Sequence, residues 1–204
     1  MKLISIIGAG GHTRSSINLL KYNFEKSSLS IFDDSYDCNT KEYINNIELI
    51  GEISMISVES LVFLSIGDNN KREYYYNMFK NQIIKENLFH KSSYFEDSIS
   101  IGIANQIFAN VYINSCVKIG DDNILNTSSI LEHESVIGNH NHISVGTKIC
   151  GRVNIGNRCL IGSGAVINDK VSICNDVIIG SGAVVTKDII ETGTYVGVPA
   201  RRIK

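Results

Sequence analysis

Aliphatic residues recur at every sixth position through the second half of the chain. Fifteen consecutive positions share this property: Ile101, Ile107, Ile113, Ile119, Leu125, Leu131, Ile137, Ile143, Ile149, Ile155, Ile161, Ile167, Ile173, Ile179 and Val185. An α-helix does not account for the series, because a period of six drifts against about 3.6 residues per turn. An ordinary strand alternates with period two and ends after about five or six residues. The unbroken hexad period is typical of a parallel β-helix and predicts that fold.

A second register supports the β-helix and gives the size of one coil. The position two before each aliphatic residue is usually small or apolar, and period two within a short strand points both side chains inward. Glycine follows the aliphatic residue of every third hexad at Gly102, Gly120, Gly138 and Gly156. Three hexads therefore make one coil of a triangular prism, and the fifteen hexads make five coils. At a strand spacing of roughly 4.8 Å, the height is on the order of 24 Å.

The first part of the chain has the pattern of a small Rossmann-like βαβ domain. Short apolar runs predict strands at residues 3–7, 28–32 and 61–66. Glycines at positions 8, 10 and 11 form a turn after the first strand, and a helical stretch follows. Strand, turn and helix in this order indicate a small parallel sheet.

A second helix is predicted further along the same domain. It is expected at residues 71–86, with three inward-facing side chains: Tyr75, Met78 and Phe79. The pattern then changes near residue 92. The chain is expected to divide into an α/β domain at 1–92, an all-β parallel β-helix at 93–190 and a C-terminal tail at 191–204.

Composition and charge narrow the classes of partner. A net charge of −2 provides no basic surface for nucleic acid, so small molecules or copies of the chain itself are expected as partners. The N-terminus carries no signal-peptide pattern, and no stretch approaches the roughly 20 apolar residues of a membrane span. The five cysteines form no C-x-x-C pair, which favours free thiols and a cytoplasmic protein.

The strongest candidate for chemistry is the pair His133 and Glu134. His133 follows the inward Leu131 by two positions, so it is expected at the edge of a face, near a corner of the prism. The adjacent carboxylate can hold the imidazole and raise its basicity. His140 and His142 lie close by, but the three histidines lack zinc-motif spacing, so we expect no metal site and a solvated His140.

Several segments together resemble the bacterial left-handed β-helix sugar acetyltransferases with hexapeptide repeats. This family includes UDP-4-amino-sugar N-acetyltransferases, GDP-perosamine N-acetyltransferases and sialic acid O-acetyltransferase-like proteins. The resemblance covers essentially the whole chain and rests on four features besides the hexads: Gly8 to His12, the pair Asp33-Asp34, the segment Asn126 to Gly138 and the ending Gly197 to Ala200. It implies a left-handed β-helix, a homotrimer, acetyl-CoA as the donor and an amino or hydroxyl sugar as the acceptor.

The resemblance also implies roles for individual residues of the β-helix. His133 matches the family's general base, and Glu134 matches the acidic residue that tunes it. The remaining matches are positions that contact acetyl-CoA: His142, Gly151, Ser163 and Ser181.

Residues of the first domain match the pocket for the nucleotide part of the acceptor. The turn residues Gly10 and Gly11 precede a helix whose backbone amides can bind phosphate. Asp33 and Asp34 match residues that bind the nucleoside. His12 and Gly67 line the same pocket in the family.

The three-hexad coil leads to an expectation about subunits. Residues one coil apart stack in one column, so His133 lies over Gly151, and Ser163 lies over Ser181. The two columns belong to different corners of the prism. A site that needs both corners is therefore expected between the subunits of a closed trimer.

Four functions are compatible with the sequence. The first is N-acetylation of a nucleotide-linked amino sugar for surface glycan synthesis, with a UDP-4-amino sugar as the acceptor. GDP-perosamine as the acceptor and O-acetylation of sialic acid or a related sugar are the alternatives within the fold. A hexad scaffold without catalysis is the alternative from another class. A nicotinamide dehydrogenase is disfavoured, because the G-x-G-x-x-G pattern would need its third glycine at Thr13.

Overall fold

The computed structural model describes residues 2–203, which form two compact units divided between Leu88 and Phe89. The division lies slightly before the boundary expected at residue 92. Phe89 and Phe95 take the two hexad positions ahead of Ile101 and pack against the β-helix core, with ring centroids 5.1 Å apart. The aliphatic series begins only at Ile101, because these two earlier positions carry phenylalanine.

The first unit is a five-stranded sheet with two α-helices. Its elements are β1 (Leu3–Ile7), α1 (Gly11–Asn23), β2 (Ser28–Phe32), β3 (Glu42–Ile44), β4 (Ile47–Gly51), a 3-10 turn (Ile53–Met55), β5 (Leu61–Leu64) and α2 (Asn69–Met78). The strand order is β3-β4-β2-β1-β5, and only the β3–β4 pair is antiparallel. The predicted α/β class is therefore confirmed, with a β3–β4 hairpin that the sequence pattern did not predict.

The second helix is shorter than predicted. It ends at Met78, whose side chain is 54% exposed, so the prediction of an inward Met78 and a helix to residue 86 is wrong. Tyr75 is buried as expected, and Phe79 is half-buried. Beyond Phe79 the chain turns back, and Ile83 forms a parallel bridge to Val62 at the edge of the sheet. Ile83 is buried there against the sheet, in a position that a continued helix would not give it.

The second unit is a parallel β-helix with three sheets as faces. The first face contains β7 (Tyr94–Phe95), β10 (Tyr112–Ile113), β13 (Ile130–Leu131), β16 (Lys148–Ile149), β19 (Val166–Ile167) and β22 (Val184–Val185). The second contains β8 (Ser100–Ile101), β11 (Lys118–Ile119), β14 (Val136–Ile137), β17 (Asn154–Ile155) and β20 (Ser172–Ile173). The third contains β6 (Leu88–Phe89), β9 (Gln106–Ile107), β12 (Ile124–Leu125), β15 (His142–Ile143), β18 (Leu160–Ile161), β21 (Val177–Ile179), β23 (Gly193–Val196) and β24 (Arg201–Arg202).

The stacked strands from β7 to β22 have the predicted register of three hexads, as in Ile113 beside Leu131. The hexad side chains from Ile107 to Val185 are each at most 4% exposed, so they fill the interior of the prism. The predicted β-helix is confirmed. The C-terminal segment, however, is not simply a tail, because β23 pairs with β21 and β24 with β23, which extends the third face.

The glycines that follow the hexad residues at every third hexad stack at one corner of the prism, where atoms of the next coil leave no room for a side chain. Asn139 Oδ1 accepts the backbone N–H of Asp121, one coil earlier, at 2.7 Å, and Asn157 Oδ1 accepts the N–H of Asn139 at 2.7 Å. These amides pass directly beside the stacked glycines. A Cβ at Gly138 would lie 2.5 Å from the carbonyl oxygen of Gly156, so only glycine fits.

A second stack of asparagine side chains, here called the inner ladder, lies inside the prism. Asn105, Asn123 and Asn141 stack in one column of fully buried side chains. Asn123 Oδ1 accepts the N–H of Asn141 at 2.8 Å, and Asn141 Oδ1 accepts the N–H of Cys159 at 2.7 Å. The ladder therefore satisfies backbone donors that no water can reach.

Replacement of Asn123 by alanine should destabilise the β-helix. Asn123→Ala removes the oxygen that accepts the buried Asn141 N–H, and an unsatisfied buried donor costs about 1–3 kcal/mol. We expect the free energy of unfolding in urea to fall by about that amount. The matched control is Asn154→Ala, an exposed asparagine on β17, which should change stability by less than about 0.5 kcal/mol. Equal losses in both variants would contradict the role of the inner ladder.

Candidate active site

His133 and Glu134 form a hydrogen-bonded pair in the turn between β13 and β14. His133 Nδ1 lies 3.1 Å from Glu134 Oε2. A carboxylate can only accept, so the neutral imidazole carries its proton on Nδ1 and leaves Nε2 as the basic nitrogen. The side chain of His133 is 46% exposed, so a substrate can reach that nitrogen. The predicted location at a corner is confirmed.

The backbone around the pair is held from both neighbouring coils. The N–H of Glu134 donates to the Ser115 carbonyl at 3.1 Å, and the His133 carbonyl accepts the N–H of Arg152 at 2.9 Å. Glu134 has a left-handed backbone conformation, with φ at 60°. This turn brings its carboxylate back onto the adjacent imidazole.

The predicted stacking of columns is found in the structure. The imidazole of His133 lies over Gly151, where an added Cβ would be 2.6 Å from Nε2. At a second corner, the N–H of Gly182 donates to the carbonyl of Ser163 at 2.9 Å, which places Ser181 in the column next to Ser163. The two groups of predicted residues therefore lie at different corners of the prism. Contacts of Gly151, Ser163 and Ser181 with acetyl-CoA remain predictions.

His142 lies on the third face, in β15, with a half-buried side chain. Its Nε2 is 3.2 Å from Nδ2 of Asn126. Because an amide NH₂ only donates, Nε2 of His142 is the acceptor in this bond and its ring is oriented by Asn126. Asn126 is a neighbour of the candidate site to which the sequence assigned no role of its own.

Two further carboxylates lie near His133, on the preceding residue Glu132 and on Asp169 of the same column. Glu132 accepts a hydrogen bond from the Asn114 side chain, and Asp169 forms a two-pronged ion pair with Arg152 at 3.0 Å. Burial raises the pKa of the Cys150 thiol, and the charges of Asp169 and Glu132 raise it further. Cys150 therefore stays a neutral thiol near neutral pH and is a poor nucleophile.

His140 is buried, which corrects the expectation that it is solvated. Its side chain is 11% exposed, and Nδ1 lies 2.8 Å from Asp122 Oδ2. Asp122 precedes His140 by one coil, so the two stack in the same column. The next positions in this column carry a second pair, in which Arg158 Nε donates to Asp176 at 2.7 Å.

The first unit contains a cavity of about 280 Å³ at the glycine turn. Five of the six predicted nucleotide-binding residues line it: Gly10, Gly11, His12, Asp33 and Gly67. The N-cap position of α1 is Gly10, which provides no side-chain cap, and a Cβ at either Gly10 or Gly11 would meet no atom within 4 Å. The cavity therefore opens onto bare backbone. Lys71, which the sequence did not single out, also lines it.

Asp33 holds the glycine turn and remains ionised. Its Oδ2 accepts the N–H of Ala9 at 2.9 Å, and its Oδ1 accepts the Ser35 N–H at 3.0 Å and the hydroxyl at 2.7 Å. Partial burial works to raise the pKa of Asp33, but these hydrogen bonds and the charge of Lys71 outweigh it and lower the pKa below 3.8.

Asp34 lies apart from this cavity. It lines a separate cavity with Tyr74 and Tyr75, and its Oδ2 accepts the Tyr75 hydroxyl at 3.0 Å. Burial and this carboxylate raise the pKa of Tyr75 to about 12. The structure thus brings Asp33 to the glycine turn and turns Asp34 elsewhere.

Between residues 2 and 203, no cluster of three or more histidine, cysteine or acidic side chains has metal-binding geometry. No helix in the same range has the length and hydropathy to cross a membrane.

Family models match both units. Residues 3–79 match the PglD N-terminal domain, and residues 152–187 match the bacterial transferase hexapeptide with six repeats. No curated protein matches the sequence.

Solved structures match the chain over its whole length. PerB from Caulobacter crescentus, in complex with CoA and GDP-perosamine, is 27% identical, with 100% of this chain and 98% of that chain covered and a TM-score of 0.88. The acetyltransferase domain of PglB from Neisseria gonorrhoeae FA1090, in complex with acetyl coenzyme A, is 25% identical, with 99% of both chains covered and a TM-score of 0.88. The chain is a left-handed β-helix acetyltransferase. WeeI from Acinetobacter baumannii AYE matches this acetyltransferase at 25% identity, with 100% of both chains covered and a TM-score of 0.90.

The lowered pKa of Asp33 predicts a pH dependence for the stability of this acetyltransferase. A carboxyl with a lowered pKa in the folded state stabilises the fold above its unfolded pKa, near 3.8, and loses that effect as the pH falls through the lowered value. We expect Asp33→Asn to lower the thermal unfolding midpoint near neutral pH. The difference from the wild type should shrink as the pH falls below about 3.8.

The control for this experiment is Asp37→Asn. The carboxylate of Asp37 lies in an exposed turn and accepts hydrogen bonds from the backbone and side chain of Asn39. A pH-independent difference between Asp33→Asn and the wild type would contradict the assignment.

Proposed function

We propose that this protein transfers an acetyl group from acetyl-CoA to the amino group of a nucleotide-linked sugar, a UDP-4-amino sugar, for surface glycan synthesis. The observation that carries the proposal is the His133–Glu134 pair, with Nδ1 bound to the carboxylate and Nε2 accessible. The match to an acetyltransferase domain in complex with acetyl coenzyme A supports the choice of donor.

In the proposed reaction, the sugar amine attacks the thioester carbonyl of acetyl-CoA. A C–N bond forms, the C–S bond breaks, and the amine loses one proton to Nε2 of His133. The departing CoA thiolate takes up a proton, which His133 can return. Glu134 stabilises the imidazolium that exists between these two steps. Cys150, whose pKa burial and neighbouring carboxylates raise, is a poor nucleophile, and the proposed transfer is direct.

The cavity of the first unit supports a nucleotide diphosphate as part of the acceptor. Backbone amides at the start of α1 and the ammonium group of Lys71 supply positive potential beside Gly10 and Gly11. PerB, which matches this chain, is in complex with CoA and GDP-perosamine. GDP-perosamine is therefore the second nucleotide sugar to test.

The charges around His133 favour an amine over sialic acid. Glu134 contacts the imidazole, Glu132 precedes His133 in the chain, and Asp169 lies in the same column as His133, where it pairs with Arg152. The ammonium form of an amino sugar is attracted to these groups and gives one proton to solvent before it attacks as a neutral amine, whereas the carboxylate of sialic acid is repelled. O-acetylation of sialic acid is thus the less favoured reaction.

We further propose that the active unit is a cytoplasmic homotrimer with sites between subunits. His133 and Gly151 occupy one corner of the prism, whereas Ser163 and Ser181 occupy another. A neighbouring prism in a closed trimer can supply the second corner to the same acetyl-CoA. A fully active monomer would contradict this arrangement.

The test is a CoA-release assay with acetyl-CoA and a panel of acceptors. The panel contains UDP- and GDP-linked amino sugars, the free amino sugars and sialic acid. We expect release with a nucleotide-linked amino sugar, and we expect His133→Ala to lower kcat by about 10²–10⁴-fold, the usual contribution of a general base. Release with sialic acid alone would overturn the proposed acceptor.

The matched control is His90→Ala. His90 lies in the first coil and is hydrogen-bonded to Ser92 in the same turn, at 2.9 Å from its hydroxyl. This variant should retain turnover close to that of the wild type. Unchanged turnover in His133→Ala would instead contradict catalysis by His133 and revive a scaffold without catalysis.

A further inference from the structure

Gly151 belongs to the column of residues that stack, one coil apart, at the corner of the prism that carries His133. Among the four consecutive positions of this column given next, it alone has no side chain. The stacked positions of this column are Ser115, His133, Gly151 and Asp169. Gly151 is not among the residues with a positive φ, so its backbone conformation is open to other residues. The turn itself therefore does not require glycine at this position.

The space beside Gly151 is occupied by the imidazole of His133. A Cβ on residue 151 would lie 2.6 Å from Nε2 and 2.7 Å from Cε1 of that ring. It would also lie 3.1 Å from Oδ1 of Asp169, which approaches from the following coil. Real Cβ atoms essentially never come as close to another heavy atom as the first two distances.

The backbone cannot relieve this overlap. The N–H of Arg152 donates to the His133 carbonyl at 2.9 Å, and the N–H of Lys170 donates to the Gly151 carbonyl at 3.0 Å. Gly151 is thus tied to the coil on each side. The far end of the His133 side chain is the part that can move.

We propose that Gly151 is a positioning residue, whose missing side chain allows the His133 imidazole to lie with Nδ1 on Glu134 and Nε2 at the reaction centre. This inference rests on the proposed role of His133 as the base. It is independent of any contact between Gly151 and acetyl-CoA. A methyl group at this position rotates the ring away and separates Nδ1 from Glu134, while the coil persists.

The test compares Gly151→Ala, His133→Ala and the double variant. We expect Gly151→Ala to lower kcat on the order of 10²-fold, the effect of misplacing a catalytic group by about 1 Å. KM for acetyl-CoA and the unfolding midpoint should stay close to the wild-type values. In the His133→Ala background, the added methyl group should have no further effect, because there is no ring to displace.

A second measurement does not depend on activity. The imidazole ¹H–¹⁵N signals of His133, assigned by their loss in His133→Ala, should shift in Gly151→Ala. The control is Ser115→Ala, which changes the same column on the other side of His133 without adding atoms. Its His133 signals should remain close to those of the wild type.

The outcomes separate this inference from the proposed function. Unshifted His133 signals in Gly151→Ala would overturn the positioning role. A raised KM for acetyl-CoA with unchanged kcat, or a further loss in the double variant, would also overturn it and assign Gly151 to the donor instead. If no acceptor is acetylated, the proposed function fails, yet the shift of the imidazole signals still tests whether Gly151 makes room for the ring.

Discussion

The hydrogen bonds between successive coils are the constraint on which the candidate site depends. Strands of the β-helix donate to the carbonyls one coil further on, as from Glu132 to Ile149, so a residue's neighbours lie three hexads away along the chain. Hexad side chains fill the interior. The buried side-chain oxygens of Asn123 and Asn141 accept backbone N–H groups that form no hydrogen bond within the strands. Corner turns bonded on both sides cannot shift independently. The backbone of His133 is therefore fixed above that of Gly151.

This rigidity leaves the chemistry to a few side chains at the corners. Glu134 takes up a left-handed conformation and returns its carboxylate to the neighbouring imidazole, which sets the basic nitrogen at Nε2. In the proposed reaction, the carboxylates near His133 favour an amino-sugar acceptor, and the acetyl group passes directly from acetyl-CoA to the amine. The proposed nucleotide site lies in the first unit, where Asp33 holds the turn that exposes bare backbone at Gly10 and Gly11.

Features that repeat along the chain could be predicted from the sequence, whereas features that depend on single contacts could not. The hexads predicted the coil, its register and the placing of His133 over Gly151, because a solid interior admits only apolar side chains at every sixth position. The hairpin was missed, since its turn at Asn45 and Asn46, with φ of 49° and 63°, joins strands of mixed polarity. His140 was misjudged because the coil repeat places Asp122 in the same column but does not show that the two side chains bond to each other.

In the first unit, too, the sequence did not predict which single contacts two adjacent residues make. Asp33 and Asp34 look equivalent as a pair, but a hydrogen bond from Ala9 draws one to the glycine turn and the Tyr75 hydroxyl draws the other to a separate cavity. Lys71 was overlooked because nothing in its sequence neighbourhood links it to a glycine turn near the start of the chain, and only the cavity that they share reveals it.

The most direct test of the account is the chemical identity of the product formed from acetyl-CoA and a nucleotide-linked amino sugar. NMR and mass spectrometry of the product, before and after treatment with hydroxylamine, distinguish an amide from an ester. The account predicts one hydroxylamine-stable amide on the sugar for each CoA thiol released. A hydroxylamine-labile ester, or CoA release without an acetylated sugar, would contradict it.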